Sequence, residues 1–168
     1  IRCTTKPYEN SSFESANIQK LFSQRIIFSK KRKLLLAERS SNEMRKIAIS
    51  DIHGCNATFE ALLQQINFSR EDQLFLLGDY LDRGPSSKQV LDTIFRLKAE
   101  GYEVNCLRGN HEEMLLWALS GHSYNLESFL HNGGDTTLAS FGVQHPRDIS
   151  PDYLDFLESL PFWIEADE

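Results

Sequence analysis

Gln73-Leu74-Phe75-Leu76-Leu77-Gly78-Asp79-Tyr80-Leu81-Asp82-Arg83-Gly84 changes character midway, and that change decides the fold. Its first five residues form a nearly continuous apolar run, as expected of a strand covered on both sheet faces. The remainder is a glycine-bounded polar cluster with two carboxylates and a guanidinium. The same grammar recurs on either side. Upstream, a strand over Lys46–Ser50 runs into Asp51-Ile52-His53-Gly54; downstream, a strand over Tyr102–Leu107 runs into Arg108-Gly109-Asn110-His111-Glu112. Between the strands, Phe59, Leu62, Leu63 and Ile66 mark one helix face, and Val90, Leu91, Ile94 and Phe95 a second. Ser86 or Ser87 is available to cap the second helix, and Gly101 to end it. The order β-α-β-α-β predicts an α/β domain with parallel strands and right-handed crossovers.

Parallel strands end on one edge, where open α/β sheets bind ligands. The three clusters are therefore expected to converge, and their chemistry is coherent. Asp51, His53, Asp79 and the amide oxygen of Asn110 make a mixed oxygen and nitrogen set. Such a set suits borderline or hard divalent ions: manganese foremost, with iron, zinc, cobalt or nickel also compatible. Two ions about 3.5–4 Å apart need a bridging ligand, and Asp79, in the middle cluster, is the natural bridge. Such a pair lowers the pKa of a shared water enough to supply hydroxide near neutral pH. Arg83 offers a planar fork for phosphate oxygens, with Arg108 a weaker second candidate. His111 follows Asn110 directly, so its side chain is free to act as general acid, with Asp82 to hold it. Any one of these residues alone suits a strand-end turn or a surface ion pair; three ordered clusters at three strand ends do not.

These clusters resemble the signature of the calcineurin-like metallophosphoesterases in its protein-phosphatase form: Asp-x-His, Gly-Asp-x-x-Asp-Arg-Gly and Gly-Asn-His-Glu. The resemblance runs from Met44 to the end of the chain. It implies that Asp51, His53 and Asp79 bind one metal, that Asp79 and Asn110 bind the second, and that Arg83 and Arg108 hold phosphate. His111 would be the acid, supported by Asp82. It implies a β-sandwich flanked by helices, with a mixed sheet. Two further metal-binding histidines would follow Glu168, leaving the C-terminal sheet missing and the segment an N-terminal piece. His122, His131 and His145 sit in no motif resembling those histidines. Related symmetrical dinucleoside tetraphosphate hydrolases usually lack an acidic residue at the position of Asp82. The expected reaction is therefore hydrolysis of phosphoserine or phosphothreonine in a protein. A hydrolase of dinucleoside polyphosphates is the alternative, and an inactive piece acting as a binding module is a third reading.

Beyond the clusters the chain turns helical. Ser150-Pro151-Asp152 is a helix start with proline at the first position; Tyr153, Phe156, Leu157 and Leu160 form its stripe, and Phe162-Trp163-Ile164 reads as the approach to another strand. Glu112 and Glu113 read as first-turn residues complementing the helix dipole, and Met114 to Trp117 as core. The Asn132-Gly133-Gly134 turn reads as a substrate contact or a helix end. The net charge of −6 over 168 residues hides an asymmetry: residues 1–43 are net basic and residues 44–168 strongly acidic. An acidic domain is a poor nucleic-acid binder, and no apolar run reaches the roughly 18 residues a membrane span needs. A phosphorylated protein or a small phosphoester is the expected partner; the oligomeric state is open. Cys3, Cys55 and Cys106 lack metal or redox spacing, which favours free thiols in a reducing, cytoplasmic compartment. Residues 1–43 read as a basic leader: sequence upstream of a start at Met44, a disordered or helical extension, or the remnant of a targeting peptide, against which Glu9, Glu14 and Glu38 count.

Overall fold

The structure, a computed structural model, describes residues 44–165. The leader, with its helical spacing at Ile18, Leu21 and Phe22, lies outside the described residues. Three strands form the sheet: β1 (Lys46–Ile49), β2 (Gln73–Leu76) and β3 (Glu103–Cys106). They lie in the order β1-β2-β3, all parallel, with Ile47 opposite Leu74 and Leu74 opposite Val104. The β-α-β-α-β order with parallel strands is as the sequence predicts. Helix α1 (Asn56–Gln65) joins β1 to β2, and α2 (Ser87–Ala99) joins β2 to β3. Gly101, in the left-handed region at φ 82°, ends α2 as its sequence predicts.

Side chains alternate across a strand, and among the described residues one parity is covered. Leu74, Leu76, Val104 and Cys106 are buried, in one core with Phe59 and Leu63 of α1 and Val90, Leu91, Ile94 and Leu97 of α2. Phe75 is half-buried and Leu77 is 46% exposed. With Lys46, Ala48, Leu107 and Ile164 they line an open apolar hollow on the opposite face. Among the described residues, the apolar run of β2 thus has one face covered rather than two.

Five more elements follow: α3 (Asn110–Ala118), α4 (Ser123–Phe129), α5 (Asp135–Phe141), a short 3-10 turn (Pro146–Asp148) and α6 (Pro151–Ser159). A widened turn, Leu130–Gly134, joins α4 directly to α5, with Gly133 at φ 99°. The Gly134 position has no room for a Cβ, because the Phe129 ring occupies that space. The Asn132-Gly133-Gly134 turn thus lies at the kink between the end of α4 and the start of α5, where Gly133 leaves helical φ/ψ. Helix α6 begins at Pro151, and Leu157 and Leu160 are buried, while Phe162 and Trp163 are exposed and form no strand. Leu115 is buried, but Trp117, expected in the core, is 56% exposed. No described helix is long and apolar enough to cross a membrane.

Arg45 clamps the entry to the sheet. Its guanidinium donates to both Asp72 oxygens at 2.5 and 2.6 Å and to the Ile66 and Asn67 carbonyls. This pairing holds the Asp72 carboxyl well below the ordinary carboxylate range, at about 2. Cys106 is free, and burial pushes its thiol up to about 11.

Candidate active site

The three clusters meet at the carboxyl ends of the strands because glycines let their backbones touch. The Gly54 and Gly84 backbones are so close that a Cβ on either would overlap the other cluster: 2.6 Å from the Gly84 oxygen in one case, and into the His53 oxygen in the other. Gly78 and Gly109 close the second and third clusters the same way, a Cβ on Gly78 falling 2.5 Å from the Gly109 backbone. Main-chain bonds run alongside: His53 N–H donates to Asp79 O at 2.9 Å and Gly54 N–H to Tyr80 O at 2.8 Å. Five non-glycine residues here sit at positive φ: Asp51, His53, Asp79, Asp82 and Arg83. Such conformations cost of order 1–3 kcal/mol each, persist only where the surroundings over-determine them, and cluster at functional sites. Aspartate is among the side chains that tolerate them.

Glu112 fixes the middle loop. It is fully buried at the third position of α3, and its carboxylate accepts from four backbone amides. Oε2 takes the Asp79 and Gly109 N–H groups at 2.9 Å each; Oε1 takes Tyr80 N–H at 2.9 Å and Leu81 N–H at 3.3 Å. Burial, set against those bonds, leaves its carboxyl above the ordinary range. Glu112 thus sits in the first turn, as its sequence position predicts, and holds the loop besides. The sequence does hold a signal: an acidic residue three positions after the helix-capping Gly109 is the reach-back arm of a capping box.

The two histidines are held in one tautomer. A guanidinium only donates, and Arg83 spans both rings, Nη1 to His53 Nε2 at 3.1 Å and Nη2 to His111 Nε2 at 3.0 Å. Each ring then carries its proton on Nδ1. His53 Nδ1–H donates to the Leu81 carbonyl at 2.8 Å, and His111 Nδ1–H to Asp82 Oδ2 at 2.7 Å. The rings meet edge-on with centroids 4.6 Å apart. Asp82 and His111 are both buried, while Arg83 is exposed, its N–H donating to Gly133 O at 3.3 Å.

Ligand atoms of His53, Asp79 and His111 all lie within 4.8 Å of one another. Asp51 Oδ1 is 3.9 Å from His53 Nε2, and the Asp51 carboxylate is two-thirds exposed. The donor set fits a divalent cation: two imidazole lone pairs fixed by second-side hydrogen bonds, as metal-ligating histidines have, beside a half-buried carboxylate. Asp79 Oδ1 also accepts the His111 N–H at 3.2 Å and fills the space a Cβ at Gly109 would need. Of the residues the sequence singles out, Asp51, His53, Asp79, Asp82, Arg83 and His111 come together. Asn110 opens α3 beside them and is exposed. Arg108 is engaged elsewhere: it pairs with Glu113 at 2.9 Å, donates to the Glu158 carbonyl and lies over the Phe162 ring at 4.8 Å.

A sequence profile described as calcineurin-like phosphoesterase matches residues 44–164. Among curated proteins, the chain is 36% identical over 126 residues to "Bis(5'-nucleosyl)-tetraphosphatase, symmetrical" of Chromohalobacter salexigens, covering 74% of this chain and 42% of that protein. It is 43% identical over 79 residues to the protein of the same name from Delftia acidovorans, covering 46% and 27%. The chain thus spans less than half the length of these relatives. A solved cold-active protein tyrosine phosphatase aligns with TM-score 0.50 and 24% identity over 70% of this chain and 37% of that one, a likeness of fold alone. The relatives' names overturn the protein-serine/threonine-phosphatase expectation, which leans on Asp82. Asp82 is buried against His111, Ser87 and Thr137. Its place is behind the histidine, so it says nothing about what the phosphate is attached to.

Proposed function

From the premise that this chain belongs to the calcineurin-like phosphoesterase family, we propose that it is the strand-and-cluster half of a hydrolase that splits a bis(5'-nucleosyl) tetraphosphate symmetrically. One water is consumed, one P–O bond of the tetraphosphate bridge breaks, and two nucleoside diphosphates leave. The observation that carries the reading is the convergence of Arg83, His53 and His111 beside Asp79, in a chain whose curated relatives carry that activity in their names.

Asp51, His53, Asp79 and Asn110 are the residues we assign to divalent cations. When bound, the cations supply positive charge that acidifies water and neutralises phosphoryl oxygens. The chain's own groups do the rest. Asp79 is held by its N–H on Glu112 and by the His111 N–H on its carboxylate, so its oxygens need no reorganisation. Arg83 turns its fork from the two ring nitrogens to two phosphate oxygens, a bidentate match that stabilises charge on the equatorial oxygens. That exchange frees the His111 Nε2 lone pair to take up a proton from solvent, which it then passes to the departing phosphate oxygen while Asp82 holds Nδ1–H.

The test is turnover by the full-length protein loaded with manganese. We expect diadenosine tetraphosphate to yield ADP alone, and a phosphoseryl peptide to be a far poorer substrate. Products of ATP plus AMP, or preference for the peptide, would sink the proposal. The grouping of His111 with His53 and Asp79 supports a second role for His111, as a metal ligand. A His111→Ala protein that loses turnover but keeps full manganese stoichiometry excludes that role.

A further inference from the structure

Thr137 lies on α5, outside all three clusters, yet it is fully buried against Asp82. Counting protons there gives one consistent network. Thr137 Oγ1–H donates to Asp82 Oδ1 at 2.7 Å. Its single proton is then spent, so the 2.9 Å contact with Ser87 Oγ has Ser87 as donor. The Asp82 N–H completes the ring, reaching Thr137 Oγ1 at 2.9 Å and Ser87 Oγ at 3.1 Å. Asp82 therefore presents one oxygen to Thr137 and the other to His111 Nδ1. All four residues are buried, so bulk solvent does not reach in to replace a lost partner.

The helix bearing Thr137 is anchored independently. Lys88 N–H donates to Ser140 Oγ at 3.1 Å, and Thr136 Oγ1–H to Gly133 O at 2.7 Å, the carbonyl that also takes the Arg83 N–H. The Gly133 position has no Cβ room, since Arg83 N would lie 2.8 Å away.

We propose that Thr137 is a positioning residue for this site, its hydroxyl fixing the Asp82 carboxylate so that His111 keeps Nε2 facing the pocket. This rests on the reading of His111 as the proton-carrying group, but its first test does not need turnover. In the chain labelled with nitrogen-15, the His111 Nδ1–H donated to a buried carboxylate should appear as a downfield, slowly exchanging imidazole resonance. Thr137→Val should shift that resonance and speed its exchange about tenfold or more, while Thr137→Ser restores it. In the full-length enzyme, the same Val variant should lose about tenfold in kcat, with KM held within about twofold, and Ser should recover most of it. A folded Thr137→Val with an unchanged resonance overturns the proposal. So does a folded Thr137→Ser that fails to rescue, since the methyl and not the hydroxyl would then matter. Should Val not fold, Thr137→Cys, with its weak thiol donor, takes its place under the same two outcomes. If the resonance responds as expected and diadenosine tetraphosphate is not hydrolysed, the positioning stands and the substrate assignment falls.

Discussion

Replacing Glu112 by glutamine removes one acceptor oxygen and installs a donor where donors already converge. The carboxylate serves four backbone N–H groups, two on each oxygen. In Glu112→Gln the side-chain amide would turn its oxygen to the stronger pair, Asp79 and Gly109, both at 2.9 Å. Its NH2 then faces the Tyr80 and Leu81 amides, at 2.9 and 3.3 Å in the parent. A buried donor left unmade costs about 1–3 kcal/mol, so one full and one partial loss amount to roughly 2–5 kcal/mol. Relief of burying a charge offsets part of that, leaving a net of about 3 kcal/mol. For a domain of this size that lowers Tm by about 10 °C. Circular dichroism melts of the parent and Glu112→Gln, run side by side without added metal, measure it. A melt within about 2 °C of the parent would refute the reasoning, because Glu112 would then not be holding the loop. Manganese titration by calorimetry supplies the functional half: Asp79 sits on the released loop, so the folded variant should bind the ion at least about tenfold more weakly.

Three further outcomes are expected. Asp72 has a depressed pKa, so its stabilisation is present above the unfolded value of about 3.9 and is lost as pH falls through about 2; with Arg45 half-exposed, that share is about 1–2 kcal/mol after screening. Denaturant unfolding should accordingly show the parent weakening between about pH 4 and pH 2 more steeply than Asp72→Asn. Gly84→Ala drives a Cβ into the His53 oxygen; it should cost about 3 kcal/mol or more and abolish metal binding, and a variant that melts like the parent contradicts the backbone contact. Cys106, buried and with its thiol raised to about 11, should resist alkylation at about pH 8 in the folded chain, where little thiolate forms, and react after denaturation, as mass spectrometry of the labelled peptide would show.

The strands and the convergence of Asp51, His53, Asp79, Asp82, Arg83 and His111 are legible in the sequence because apolar runs ending in polar, glycine-bounded clusters leave few topologies. The uncovered face of the sheet is not. Phe75 and Leu77 read as buried, since hydrophobicity records what a residue prefers and not whether a layer lies over it. Glu112 is hidden because an acidic residue in a first helical turn is usually solvated, and only the fold reveals four amides aimed at it. Thr137 leaves no trace and Ser87 reads only as a possible helix cap, because both are common hydroxyl residues far apart in the chain whose shared role exists only where α2 and α5 meet. The substrate branch escapes a reading based on Asp82, because a residue behind the histidine carries no information about the far side of the phosphate.

At 54 and 84, and again at 78 and 109, paired glycines set main chain directly against main chain. Spacing across the pocket is set by main-chain thickness, which does not vary with rotamer or temperature as side-chain packing does. Directed evolution of the hydrophobic interior can therefore proceed with the catalytic distances kept, so long as those four codons and the codons of Ser87, Glu112 and Thr137 are left untouched.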